Sequence, residues 1–206
     1  MFMDRQDAAR QLAGRLMHYR GQHPLVLAIP RGAVPMGKLI ARQLDADFDV
    51  VLVRKLRAPF QPEVAIGSVD ESGWSYLSPF ASAMGADANY IADETQHQLG
   101  TIQERRSLYS PIHPPQDPQG RIVIVVDDGL ATGATMISAL HSLRQRKPAK
   151  LICAIPVASL EALEAIQPMA DDVVCLQAPV HFRAVGQFYR DFPQVSDAEV
   201  IALLRV

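Results

Sequence analysis

At 206 residues the chain fits one domain, or one domain with a small appended subdomain, and is long enough to bury a substantial core. Hydrophobic residues make up 49% and charged residues 20%, the balance of an ordinary globular protein. Lys plus Arg total 20 against 22 Asp plus Glu, a net charge of −2, which argues against a general nucleic-acid or anionic-membrane binder. Cys153 and Cys175 are the only cysteines, each inside an apolar strand-like run, and read as reduced core thiols rather than as zinc ligands. The opening Met-Phe-Met-Asp-Arg-Gln lacks an apolar stretch of signal-peptide length, and no run approaches about 18 apolar residues, so a cytoplasmic location is expected.

In chain order, Asp4 to Tyr19 places Ala8, Ala9, Leu12 and Leu16 at helical spacing and stops at Gly21, which predicts a covering helix. Leu25 to Ile29 is a short apolar strand, Pro30-Arg31-Gly32-Ala33 a tight turn carrying one cation, and Val34 to Leu44 a helix. The alternative for the turn is a surface loop with a solvated Arg. Phe48 to Val53 reads as the next strand, running into Arg54-Lys55-Leu56-Arg57, whose three cations are either a solvated edge or a second charged lip of a cleft. Ala58 to Glu63 is a loop with Glu63 as an exposed acid, and Ile66 to Val69 and Trp74 to Leu77 form a hairpin around Asp70 to Gly73. Asp87 to Tyr109 is an amphipathic helix whose Arg105 and Arg106 complement its dipole. The four prolines between Ser110 and Gly120 mark a surface connector.

From Ile122 to Val126 every residue is β-branched and apolar, as in a strand covered on both faces of a parallel sheet. It ends on Asp127 and Asp128, and Gly129 to Thr132 turn into a helix beginning with Ala134, Ile137 and Leu140. A small-residue turn entering a helix leaves the N–H groups of Ala131 to Thr135 aimed at one point, with roughly half a positive charge from the helix terminus. Gly133 admits a ligand close to the backbone, and Thr132 and Thr135 offer hydroxyl donors. Two carboxylates beside a phosphate cradle would repel the phosphate, so their task is to accept from sugar hydroxyls or to help hold a divalent cation. A ribose 5-phosphate suits both halves of the loop. Strand Leu151 to Ile155, helix Ser159 to Ile166 and strand Val173 to Leu176 follow, and this alternation predicts a parallel, doubly wound α/β sheet. Pro179 to Phe192 is an aromatic-rich tail, and Asp197 to Val206 reads as a helix.

Val123 to Thr135 resembles the 5-phosphoribosyl 1-pyrophosphate (PRPP) binding motif of type I phosphoribosyltransferases: four apolar residues, two acids, two mostly apolar residues and a Thr/Ala/Gly-rich turn. The first acid is Glu in many members and Asp here. The resemblance implies that Asp127 and Asp128 hold the ribose hydroxyls, with magnesium held mostly through substrate and water, and that Ala131, Thr132, Gly133, Ala134 and Thr135 hold the 5-phosphate. Arg31 and Gly32 then correspond to the pyrophosphate loop, where relatives carry an unusual peptide geometry, and Arg54 and Lys55 border the pyrophosphate. Asp127, Asp128, Arg31 and Lys55 are the catalytic candidates it implies. It also implies a small hood with a mobile lid, here about 56–118, completed by the tail 179–206. Phe182, with Tyr189 and Asp191 behind it, faintly resembles the stretch that stacks on the base in purine phosphoribosyltransferases; core packing is the alternative.

The fingerprints of P-loop, dinucleotide, nucleophile-elbow and HExxH proteins are absent from the sequence, and the six His are scattered, with His181 alone near the expected cleft. Asp127 and Asp128 are adjacent on a strand end, so they face opposite ways and do not bracket a glycosidic bond. The expected function is magnesium-dependent transfer of ribose 5-phosphate from PRPP to a nitrogenous small-molecule acceptor. No nucleic-acid or membrane partner is expected, and a homodimer stays open. The alternatives are a PRPP-binding regulator without turnover and a phosphate-ester hydrolase using the same cradle.

Overall fold

The computed structural model describes residues 1–205, so of the expected last helix only Val206 lies outside the described residues. In chain order the elements are α1 (Arg5–Leu16), β1 (Leu25–Ala28), α2 (Val34–Leu44), β2 (Asp47–Val50), β3 (Val53–Arg57), β4 (Ala65–Asp70), β5 (Ser75–Leu77) and α3 (Ala88–Tyr109). They continue with β6 (Ile122–Val126), α4 (Ala134–Gln145), β7 (Lys150–Val157), α5 (Leu160–Ile166), β8 (Asp172–Gln177) and α6 (Asp197–Leu204).

The expected doubly wound α/β sheet is present, all parallel, in the order β2-β1-β6-β7-β8. Alternate strand residues feed two cores. Val26, Ala28, Ile124, Val126, Ile152 and Ala154 pack with α1 and α2, whereas Leu25, Leu27, Val123, Val125, Leu151 and Cys153 pack with α4 and α5. Each such Val, Leu or Ile stabilises the fold by about 1.5–3 kcal/mol when taken from water, which is why β6 has no polar residue before its end. Cys153 is buried and Cys175 half-buried, and both are free thiols.

The register positions the site. Ala28 of β1 stands opposite Val126 of β6, and Ile29 donates its N–H to the Val126 carbonyl at 3.0 Å. The chain segments that follow, Pro30 to Ala33 and Asp127 to Gly133, therefore leave the sheet side by side at its carboxyl edge, where open α/β sheets bind ligands.

One expected strand is two. Phe48 to Val53 looks continuous because every residue after Asp49 is apolar, but β2 ends at Val50 and the chain crosses to a second, antiparallel sheet in the order β3-β4-β5. Both halves are buried, so apolar character cannot mark where the chain changes sheets. Arg54 and Lys55 consequently stand within a strand rather than after one. The expected hairpin is β4–β5, and its sheet docks on α4 through a buried polar contact. Ser68 Oγ donates to the Ala134 carbonyl at 2.5 Å and lies 2.6 Å from Ser138 Oγ. Arg106 stands in the last turn of α3 as expected, and both it and Arg105 also reach across to acids on other segments. Arg106 pairs with Glu71 at 2.5 Å, and Arg105 lies 3.6 Å from Asp197.

Gly37 on α2 shows how closely the helix lies on the sheet: a Cβ there would stand 2.8 Å from Ala28 Cβ and 2.9 Å from Phe48 Cε2. Gly37→Ala gains up to about 1 kcal/mol of helix propensity, but overpacking against a strand that cannot retreat costs about 1–3 kcal/mol. The variant is expected to lower the denaturation midpoint, and a raised midpoint would mean that α2 can move off the sheet.

Candidate active site

A cavity of about 330 Å³ lies at the carboxyl edge of β1 and β6, and the loops Ile29 to Gly32 and Asp127 to Thr135 supply most of its wall, with Lys55, Val185 and Phe192. Larger hollows exist, such as one of about 610 Å³ under the β4–β5 turn. This one is distinguished by its chemistry. Helices α1, α3, α5 and α6 each have an N-terminal side-chain cap, from Asp4, Asp87, Ser159 and Ser196. Helices α2 and α4, which open on the cavity, start at Ala33 and Gly133 without one. In α2 the Val34 N–H already donates to the Arg31 carbonyl and Pro35 has none, so it is the first turn of α4 that offers N–H groups, with Ala134 N–H 3.4 Å from Thr132 Oγ1. Gly133 has φ 76°, a left-handed backbone that strains any side chain, so the turn into α4 needs glycine.

The loop before α4 is held from outside. Leu130 N–H donates to the Val157 carbonyl at 2.9 Å, and Ser159 Oγ donates to the Ala131 carbonyl at 2.7 Å. These bonds hold the loop that carries the cradle Ala131 to Thr135 against β7 and α5, and all five cradle residues line the cavity.

Asp127 and Asp128 both line the cavity but take different partners. Asp127 Oδ1 accepts from the Asp128 N–H at 2.8 Å, its carboxylate also bonds the Thr135 side chain, and Lys55 is the nearby cation. Asp128 Oδ2 accepts from Arg5 Nε of α1 at 3.0 Å and lies 2.9 Å from Arg5 Nη2 in an ion pair. Burial pushes both carboxyls above the usual range. For Asp127 the charge of Asp128 adds to it; for Asp128 the Arg5 guanidinium opposes it. Gly32 packs against this pair: a Cβ there would overlap Asp128 Oδ2 and stand 3.2 Å from Arg5 Nη2.

Of the expected cations, Arg31 and Lys55 line the cavity. Arg31 Nη1 bonds Asp197 Oδ2 at 3.1 Å at the start of α6, and the Pro30–Arg31 peptide is cis. Arg54 and Lys55 point to opposite faces of β3, as neighbours on a strand must. Arg54 Nε donates to Gln98 Oε1 at 2.9 Å and lines a smaller adjoining hollow of about 190 Å³ with Arg57, Pro62 and the exposed Glu63. Lys55 and Thr135 line both hollows.

In the tail the core-packing alternative is what the aromatics show. Phe182 packs on Phe188 with ring centroids 5.2 Å apart, and Tyr189 is buried between Phe2 and Phe192, so neither lines the cavity; exposed His181 and Asp191 do not either. Tyr189 instead donates its hydroxyl to the Asp128 carbonyl at 2.6 Å, and burial, then the Asp128 charge, push its hydroxyl upward. Val185 and Phe192 take the wall positions, and Val185 opens a short 3₁₀ turn, Val185–Phe188, whose three-residue period sequence alternation does not reveal. Reading the sequence also missed Arg5, embedded in a helix whose only visible pattern was apolar, and Asp197. The latter accepts from Tyr109 at 3.0 Å as well as from Arg31; burial, with Asp197 beside it, pushes the Tyr109 hydroxyl up to about 12.

Residues 4–193 match the phosphoribosyl transferase domain family, and the chain belongs to that family. Proteins from two Mycobacterium tuberculosis strains, provisionally named phosphoribosyl transferases, are 40% identical over 205 residues, which is 99% of this chain and 46% of theirs. The chain thus spans about half the length of these curated relatives. A uracil phosphoribosyltransferase of Staphylococcus saprophyticus is 32% identical over 162 residues, 78% of this chain and 68% of that protein. Among solved structures, TT1426 from Thermus thermophilus superposes with a TM-score of 0.82 at 42% identity, covering 99% of this chain and 97% of that one. A hypoxanthine phosphoribosyltransferase from Staphylococcus aureus, with a TM-score of 0.50 and 16% identity over 86% of this chain and 74% of that one, shares the fold.

The Tyr189 hydroxyl is the tie between the tail and the acid pair. Tyr189→Phe leaves the Asp128 carbonyl without its donor and is expected to cost about 1–3 kcal/mol by denaturant unfolding. An unchanged midpoint would show that the tie carries no stability.

Proposed function

We propose that the chain is a phosphoribosyltransferase that moves ribose 5-phosphate from PRPP to a nitrogen nucleophile on a small molecule and releases pyrophosphate. The observation that carries this reading is the convergence, in one cavity, of a helix terminus without a side-chain cap, two adjacent carboxylates and two cations. In this reading the N–H groups and hydroxyls of Ala131, Thr132, Gly133, Ala134 and Thr135 hold the 5-phosphate, and Asp127 and Asp128 accept from the ribose hydroxyls. Arg31 and the backbone of Gly32, with Lys55 and then Arg54 in the adjoining hollow, receive the pyrophosphate.

The bond that breaks joins C1 of the ribose to a pyrophosphate oxygen, and its electrons leave with the pyrophosphate. The sugar becomes cation-like, and the acceptor nitrogen supplies the new bonding pair at C1. No protein nucleophile is required, and the chain's work is to orient the ribose and to stabilise the departing charge, about 3 kcal/mol for each preorganised donor by analogy with oxyanion sites. Lys55 is suited to this because it bridges the two hollows. The loop between β3 and β4 brings Pro62 and Glu63 to the rim of the smaller hollow, and we assign it as the lid that excludes water. Val185 and Phe192 form the apolar wall offered to the acceptor.

Magnesium fits the donor set in one form. The described residues contain no group of three or more His, Cys, Asp or Glu placed to cage an ion. Two buried carboxyls raised above their usual range favour a cation beside them, and magnesium readily keeps water and substrate oxygens as ligands. Asp127 and Asp128 would hold it at the ribose, where it supplies charge neutralisation for the pyrophosphate.

The test is a pyrophosphate-release screen over free bases with the purified chain. Arg31→Ala and Asp128→Asn are each expected to lower turnover about 100-fold or more with the fold retained, and chelation of magnesium to abolish it. Near-normal turnover in either variant would contradict these roles, and PRPP binding without release for any base would favour a regulatory protein.

A further inference from the structure

Arg5 belongs to no motif, yet its guanidinium is among the most constrained groups in the molecule. It is 9% exposed. Nε and Nη2 converge on Asp128 Oδ2, Nη1 donates to the Pro193 carbonyl at 2.6 Å, and the guanidinium lies 3.7 Å from the centroid of the Phe192 ring. Three segments distant in sequence thus meet on one side chain: α1, the end of β6 and the tail. Gly32 packs against the same oxygen, where a Cβ would overlap it, and the Asp128 carbonyl accepts from Tyr189.

A buried ion pair of this kind is close to neutral for stability, because the desolvation of both charges offsets their attraction. Its effect is geometric. Both Arg5 contacts fall on Oδ2, which holds the carboxylate in one orientation, and no side chain among the described residues donates to Oδ1. Lysine cannot reproduce this, since only the planar guanidinium can donate to a carboxylate from one edge and to a carbonyl from another while laying its face on a ring.

We propose that Arg5 is a positioning residue for the ribose: it commits Oδ2 of Asp128 to the protein and presents Oδ1 to a sugar hydroxyl. This rests on the PRPP reading of the cavity. Arg5 acts through Asp128 and touches no reacting atom.

The test needs no acceptor. Ribose 5-phosphate and its 2-deoxy and 3-deoxy counterparts are titrated calorimetrically into the parent chain, Arg5→Met and Arg5→Lys. The parent is expected to prefer ribose 5-phosphate over at least one deoxy sugar by about tenfold or more, the value of a hydrogen bond to a charged group. In Arg5→Met that preference falls to within about twofold while the deoxy sugar binds as before, and Arg5→Lys recovers only part of it. If Arg5→Met weakens all three sugars equally and keeps the preference, Arg5 is merely structural and the proposal fails. Should Arg5→Met not fold, Arg5→Lys decides: a preference reduced below the parent's supports the proposal, and an unchanged one overturns it. A parent chain that binds none of the sugar phosphates overturns the PRPP reading itself, which separates that failure from a failure of the role given to Arg5.

Discussion

Ala28 and Val126 stand opposite each other in the parallel pairing of β1 and β6, and the geometry of the site is measured from that register. A slip of one residue would turn every side chain of β6 to the other face and carry Asp127 and Asp128 to the wrong sides. The register is held by the two cores, because Ile124 and Val126 belong with α2 and Val123 and Val125 with α4. The apolar pattern that makes the sheet therefore also sets the cation loop beside the acid pair, with no further specification needed.

Placing two carboxyls next to each other at a buried strand end is unfavourable, and the structure answers with charge from different directions. Arg5 faces Asp128, and Lys55 lies near Asp127. The surrounding cations outnumber the acids, however. Arg54 is held below its usual range by burial and by Arg105, Arg57 and Arg31, so the wall toward α3 is crowded with positive charge. Asp197 takes up part of it, between Arg31 and Arg105. Both of its ion pairs are partly solvated and add little stability. Their meaning is local: a carboxylate from α6 lies on the same guanidinium that the pyrophosphate reading assigns to the substrate.

What the sequence made legible was local and periodic. The run of β-branched residues before Asp127, the glycine at a left-handed position and the helical spacing after it give the strand, turn and helix that build most of the cavity. The helices α1 to α4 and the hairpin were likewise readable from period and caps. What escaped was long-range. The passage from β2 to β3 is hidden because Val51 to Val53 are apolar and buried whichever sheet they join. Arg5 lies 123 residues from Asp128, and nothing in a helix of mixed charge marks which cation turns inward. In the tail the aromatic residues were recognisable but not their directions: Tyr189 faces the core, and Phe192 carries Arg5 on its face toward the site.

The most direct measurement is calorimetric titration of the purified chain with PRPP, with and without magnesium. The account predicts saturable binding at one site per chain that weakens sharply when magnesium is withheld and is lost when Gly133→Val distorts the turn into α4. Absence of binding under both conditions, by a folded chain, would contradict the assignment of the cavity to a ribose phosphate.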